Sequence, residues 1–187
     1  MRKTIDRVIG LILHPNRTWD EIHAEQATEA GIIRNFVVYV AAIPAISGLL
    51  GSLSLHFTFL SSMKWAVVFY LFAILGIWFS AEVLHILAVQ FKCESNRVQF
   101  LKLTSAAFAG IFVGFVFFIV PAISGLSILG VYGFYVFWIG FPRLVHCPEE
   151  ANFTFSIIGL IVLALVLAAL FLFSALVSQT LVPFLRL

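Results

Sequence analysis

Residues 65–91 read WAVVFYLFAILGIWFSAEVLHILAVQF, an almost unbroken apolar run bounded by Lys64 and Lys92. A helix needs about 20 mostly apolar residues to cross the hydrocarbon core of a bilayer. The run is longer than that, and its only acidic side chain belongs to Glu82. It therefore predicts a membrane-spanning helix.

The rest of the chain has the same character. Of its 187 residues, 62% are hydrophobic and 11% are charged, against about 25% charged residues in soluble domains. So few charges cannot keep a surface in water, which argues against a soluble enzyme. Four further apolar runs are candidate spans: 35–55, 103–120, 126–141 and 153–182. The sequence therefore predicts an all-α, polytopic transmembrane helical bundle of about five spans.

The fourth run is short, and only Pro121-Ala122-Ile123-Ser124-Gly125 separates it from the third. Proline and glycine at this point favour a tight hairpin over one continuous rod. If both runs cross the membrane, their connection is very short. A re-entrant pair is the alternative, and the sequence is compatible with both.

The basic residues predict the orientation, because cytoplasmic loops of membrane proteins carry an excess of Lys and Arg. With five spans, nine of the eleven basic residues fall on one side, and only Lys64 and Arg186 fall on the other. We therefore expect a cytoplasmic N-terminus and a periplasmic C-terminus. The nine residues are Arg2, Lys3, Arg7, Arg17, Arg34, Lys92, Arg97, Lys102 and Arg143.

The N-terminal region has an amphipathic pattern. An apolar stripe recurs at helical spacing, formed by Ile5, Val8, Ile9 and Ile12. Charged side chains lie mostly away from it: Arg2, Lys3, Asp6 and Arg7. The pattern fits a helix in the membrane interface with its cations near anionic headgroups. It equally fits a helix docked on the protein's own cytoplasmic side, and both can hold. We divide the chain into amphipathic cytoplasmic or interfacial helices over residues 1–34 and a five-span domain over residues 35–187.

The segment His14-Pro15-Asn16 is expected to end this first helix. Thr18 and Glu21 have the spacing of a capping box, which predicts the start of a second short helix. Trp19 beside that cap is expected at the headgroup level, where an amphipathic ring is favoured. The candidate contacts with lipid or a protein partner are Arg2, Lys3, Arg7 and Trp19.

Glu82 is the candidate functional residue of the spans, because an ionised carboxylate in hydrocarbon costs roughly 2.5–3.5 kcal/mol. His85 lies three residues on, hence on the same helix face. The pair could share a proton or hold a cation, and Arg143 could reach Glu82 from the fourth span. Alternatively, Glu82 is protonated or hydrogen-bonded to Tyr132 or Tyr135 and fixes helix register, or it contacts a lipid headgroup or partner. The candidate polar cluster is Glu82, His85, Tyr132, Tyr135 and Arg143.

No catalytic residue, cofactor site or metal site is predicted. A di-iron bundle needs two Glu-x-x-His motifs and two further glutamates, and only one such motif occurs here. Cys93, His146 and Cys147 lack the tight spacing of zinc ligands, so we expect ordinary loop residues in a reducing compartment. The small net charge of +2 implies no nucleic-acid partner.

Two small-residue patterns recur in the spans. Gly110 and Gly114 allow close helix approach, and packing within the bundle is favoured over homodimerisation. The hexapeptide Pro44–Leu49 recurs as Pro121–Leu126, although at a different distance from its basic flank. Coincidence is favoured over internal duplication.

Several segments occur in an order that resembles one known family. These are Leu13–Ile22, Ala41–Pro44, Glu82–Ala88, Tyr132–Pro142 and Pro148–Glu150. Together they resemble the YIP (Ypt/Rab-interacting protein) domain family of integral membrane proteins, specifically its bacterial inner-membrane branch, over nearly the whole chain. The glycine pair that usually follows the second-span histidine is replaced here by Lys92-Cys93-Glu94.

The resemblance implies a multi-pass protein of the bacterial inner membrane, with five spans and a cytoplasmic N-terminal region. Eukaryotic relatives bind small GTPases in vesicle traffic, a role that does not carry over easily to bacteria. We therefore expect a non-enzymatic scaffold or adaptor that binds membrane lipids and another membrane protein or a second copy of itself. The alternative is a small transporter or permease component that uses Glu82 and His85.

Overall fold

The computed structural model describes the backbone of residues 2–93 and 96–184 and the side chains of residues 4–93 and 96–176. These ranges form seven helices, which confirms the all-α prediction. The helices are α1 (Arg2–Leu13), α2 (Pro15–Ala24), α3 (Glu29–Ser54), α4 (Phe59–Gln90), α5 (Arg97–Ile119), α6 (Pro121–Leu144) and α7 (Glu149–Phe184).

Helices α3 to α7 have the length and hydropathy of membrane spans, as predicted. Helix α6 begins at Pro121, before the apolar run 126–141, and is therefore longer than that run. Its first half, Pro121–Val131, is a 3₁₀-helix. A 3₁₀-helix rises more per residue than an α-helix, so the 24 residues of α6 extend over about 40 Å. That length exceeds the roughly 30 Å of a hydrocarbon core. The short fourth run therefore belongs to a helix long enough to cross.

Helix α5 is the central helix, and nearly all of its residues from Phe100 to Gly114 are buried. It packs tightly on α6 through glycines on both sides. A Cβ atom on Gly110 would lie 2.8 Å from the Cα of Gly133, and one on Gly114 would lie 2.6 Å from the Cα of Gly130. The predicted role of these glycines in packing within the bundle is thus confirmed.

The surrounding helices turn large apolar side chains outward. Leu75 of α4 is 57% exposed and Leu165 of α7 is 65% exposed. In water such a surface would be unfavourable, whereas lipid tails solvate it without penalty. The fold therefore presents the lipid-facing belt of a multi-pass membrane protein.

The start of α2 differs from the prediction. Thr18 lies inside α2, where its hydroxyl donates to the carbonyl of His14 at 3.0 Å, so the predicted capping box is wrong. The helix begins earlier because Pro15 occupies its first position, where the fixed φ of proline suits a helix start. A capping box exists instead at α5, where the side chains and backbone N–H groups of Asn96 and Gln99 bond reciprocally.

Cys93 and Cys147 form a disulfide that joins the loop after α4 to the loop after α6. The prediction of unlinked loop cysteines is therefore wrong. The two residues are 54 positions apart in sequence, and their Cα atoms are 4.2 Å apart. The fold brings them together because the loops after α4 and α6 lie at the same end of the bundle, and sequence spacing does not reveal that.

Candidate functional site: the docked N-terminal helices

Helices α1 and α2 dock on one end of the bundle and form what we call the N-terminal module. Trp19 of α2 is its main anchor and is completely buried. The indole Nε1–H donates to the carbonyl of Val136 in α6 at 3.1 Å. The ring lies on Gly140, where a Cβ atom would come within 2.3 Å of it. The predicted contact of Trp19 with lipid or a partner is therefore replaced by protein contacts. Gly140 leaves a slot that the indole fills, and the Val136 carbonyl accepts its hydrogen bond.

Lys102 of α5 holds the end of α2. Its ammonium donates to the carbonyl of Ile22 at 2.7 Å and to that of Glu25 at 2.5 Å. The last carbonyls of a helix have no partner within the helix, so a buried cation at this position satisfies them. Lys102 is only 7% exposed. The sequence analysis used Lys102 only as one of the nine basic residues that predict orientation. It assigned Lys102 to a loop, whereas the residue lies in a buried helix.

Tyr132 and Arg143 of α6 complete the docking surface. The Tyr132 hydroxyl donates to the carbonyl of Ile12, at the end of α1, at 3.0 Å. Arg143 lies 3.5 Å from the carboxylate of Asp20 and donates to the side-chain oxygen of Asn16 at 2.9 Å. Both predicted candidates therefore contact the N-terminal module rather than Glu82.

Arg7 and Thr4 of α1 also turn towards protein. Arg7 forms an ion pair with Glu25 and lies over the ring of Phe36, 5.3 Å from its centroid. The Thr4 hydroxyl donates at 2.9 Å to the carbonyl of Asn35, within a π-helical turn of α3. Such a turn releases carbonyls from the regular pattern and is frequent at functional sites. The predicted lipid contact of Arg7 is therefore replaced by protein contacts, whereas the side chains of Arg2 and Lys3 lie outside the described residues.

Glu82 forms an ion pair with Arg97, the first residue of α5. Arg97 approaches both carboxylate oxygens at 2.6 Å and lies 3.9 Å from Glu29 at the start of α3. The pair thus joins the ends of three spans at the end of the bundle where the N-terminal module docks. The sequence offered no basic partner within a span, because Arg97 was assigned to a loop.

The five predicted members of the polar cluster do not come together in one site. Tyr132 and Arg143 bind the N-terminal module, and Tyr135 is half exposed beside the Tyr132 ring, with centroids 5.4 Å apart. His85 stays near Glu82 on α4, and its ring lies 6.1 Å from that of Phe100. Its buried Nδ1 atom has no hydrogen-bond partner among the described residues. These residues therefore make separate contacts within the protein, several of them with the N-terminal module, and do not form one polar site.

The outward face of α1 is apolar. Ile5, Ile9 and Leu13 follow one another at intervals of four residues and are 50%, 48% and 64% exposed. Leu11, on the opposite side, is buried against the bundle. Docking therefore covers one side of α1 and leaves a second apolar stripe uncovered. We call Ile5, Ile9 and Leu13 the outer stripe.

Comparison with known proteins identifies the family. A family model described as the Yip1 domain matches residues 9–176, so the chain belongs to the Yip1 domain family. No curated protein and no solved structure matches the chain. The match covers α2 to α6 entirely, most of α7 and the last five residues of α1. It therefore includes the bundle, all of α2 and the end of α1.

Proposed function

We propose that this Yip1 domain protein is a non-enzymatic membrane adaptor. Its five spans would anchor the N-terminal module at one membrane surface. The outer stripe of α1 would insert among lipids there, and the polar face of α2 would remain available to a membrane-protein partner. In this arrangement residues 1–34 are the binding part and residues 35–187 are the anchor.

The observation that carries this proposal is the outer stripe. An amphipathic helix that binds an interface has its apolar face in the headgroup and acyl boundary. The outer stripe has the required spacing and belongs to a helix already held at one end of a lipid-facing bundle. The exposed side of α2 is charged and includes Arg17, whose side chain is 84% exposed and pairs with Glu21 at 3.2 Å.

We place this end in the cytoplasm of a bacterial cell, with the C-terminus in the periplasm. The Cys93–Cys147 disulfide at the same end counts against this placement, because disulfides are rare in the reducing cytoplasm. The charge distribution supports this orientation, since nine of eleven basic residues belong to this end. The described ones among them, from Arg7 to Arg143, lie around the N-terminal module or in the loops beside it.

The transporter alternative receives less support. It requires Glu82 to serve a solute or a proton, but the carboxylate is held by Arg97 in a two-oxygen ion pair. Tyr132 and Arg143, the other proposed members of the transport site, are engaged by the N-terminal module. The adaptor proposal needs no other role for Glu82, Tyr132 and Arg143 than these contacts within the protein.

A photocrosslinking amino acid in place of Ile9 tests the proposal in purified protein reconstituted into phospholipid vesicles. We expect covalent lipid adducts from this position, detected by mass spectrometry. The matched control carries the same amino acid in place of Arg17, on the exposed and charged face of α2. The proposal assigns this face to a protein partner, so we expect few lipid adducts from it.

The same two variants in intact cells separate the possible occupants. Lipid adducts at Ile9 together with a defined protein adduct at Arg17 would support the adaptor role in full. Crosslinks of Ile9 to a second copy of the chain would assign the outer stripe to self-association instead. Equal lipid labelling at the two positions, or labelling at neither, would contradict the proposed placement of α1.

A further inference from the structure

A groove lies at the end of the bundle opposite the N-terminal module. It has a volume of about 780 Å³ and runs between the end of α3, the start of α4 and the α5–α6 turn. This volume is within the range of small-molecule sites, about 300–1,000 Å³. We call it the far-end groove, and its walls include Gly48, Ser52, Trp65, Phe118, Ser124 and Phe171.

Both copies of the repeated hexapeptide contribute to this groove. Gly48 of the first copy lies under the ring of Trp65, and a Cβ atom there would come within 2.0 Å of the ring. Pro121 and Ser124 of the second copy form part of the opposite wall. The first copy is α-helical and the second is 3₁₀-helical, so the shared feature is the groove rather than a common backbone.

The polar groups of the groove point to a ligand that has an anionic head. Lys64 lies at the groove, and the sequence has no Asp or Glu between residues 30 and 81, between 95 and 148, or after 150. No acidic side chain from the helices that form this end can therefore neutralise it. Ser62 is 3% exposed and lines the groove, and its hydroxyl has no hydrogen-bond partner among the described residues.

We propose that the far-end groove binds an anionic phospholipid. One acyl chain would lie against the aromatic walls, the phosphate would pair with Lys64, and the Ser62 hydroxyl would donate to an ester oxygen. A cation close to an anionic lipid headgroup and an apolar wall beside it are the two features that such a ligand requires.

Native mass spectrometry of the full chain, released from detergent in the presence of dioleoyl phosphatidylglycerol or phosphatidylcholine, tests the proposal. We expect one phosphatidylglycerol to bind more tightly than phosphatidylcholine. Lys64→Gln should weaken that binding about fivefold, the effect of one cation near an anionic lipid surface. Lys92→Gln removes the same charge at the other end of α4 and should leave binding unchanged.

A second pair of variants tests the groove itself. Ser52→Leu places a larger side chain in the groove, whereas Ser54→Leu makes the same change two residues later, outside it. Both hydroxyls donate to a carbonyl of their own helix, at 2.9 and 3.0 Å, so the two changes remove the same kind of bond. Only Ser52→Leu should lower phosphatidylglycerol binding. Equal binding of the two lipids, or equal effects within either pair of variants, would overturn the proposal. The bound lipid would then be non-specific annular lipid.

Discussion

The substitution Gly140→Ala tests whether Trp19 is the anchor of the N-terminal module. The added methyl group would lie 2.3 Å from the Cε2 and Cζ2 atoms of the indole, and real Cβ contacts essentially never fall below 3.0 Å. The rigid ring must therefore move away from α6. Its bond to the Val136 carbonyl, 3.1 Å long, would then stretch beyond the usual limit of about 3.2 Å.

The magnitude follows from two contributions. Overpacking costs about 1–3 kcal/mol, and loss of the hydrogen bond costs about 1 kcal/mol. The higher helix propensity of alanine cancels, because α6 is helical whether or not the module is docked. The net loss of docking free energy is therefore about 2–4 kcal/mol, or a roughly 30- to 800-fold larger population of the undocked module.

Hydrogen–deuterium exchange with mass spectrometry measures that population, because amides of α2 exchange when the module opens. We expect faster exchange over residues 15–24 in Gly140→Ala and unchanged exchange in the middle of α4. Gly125→Ala is the control, since a Cβ atom there meets nothing within 4 Å. If Gly140→Ala exchanges like Gly125→Ala, Trp19 does not hold α2 on the bundle.

Two further predictions concern the other polar contacts. Lys102→Met keeps the length of the side chain but removes both bonds to α2, so exchange over residues 20–28 should rise by a factor that corresponds to about 2 kcal/mol, while Lys92→Met should change nothing there. Glu82→Gln should lower the thermal unfolding midpoint, and the difference from the wild type should shrink as salt is added, because Arg97 is accessible to screening ions. A salt-independent difference would instead indicate a carboxylate in a dry environment.

The five spans could be predicted because each is a property of one continuous stretch. The apolar runs, the proline that begins α6 and the flanking cations all lie within a few residues of the features they determine. The boundaries were less predictable. The 3₁₀ stretch Pro121–Val131 and the extension of α3 back to Glu29 depend on contacts with neighbouring helices.

The docking site could not be predicted, because its contacts join distant parts of the chain. Trp19 and Val136 are 117 residues apart, and Lys102 and Ile22 are 80 apart. Each residue taken alone fits a simpler role, since tryptophan and basic residues near a span are typical of the membrane interface. Within the sequence, only the small residue Gly140 between the bulky residues Ile139 and Phe141 indicated a place where the Trp19 ring could fit.

The contacts of the basic residues change what holds the N-terminal module at the membrane. Of the nine cations expected on the cytoplasmic side, Arg7, Arg97, Lys102 and Arg143 are engaged with groups of the protein. Because these four cations already interact with protein groups, they attract lipid headgroups less strongly than four free cations would. In the proposed adaptor, the outer stripe would supply the apolar part of the interaction of α1 with lipid. Its contact with the bilayer should accordingly depend more on apolar area than on ionic strength, which distinguishes α1 from a polybasic membrane anchor.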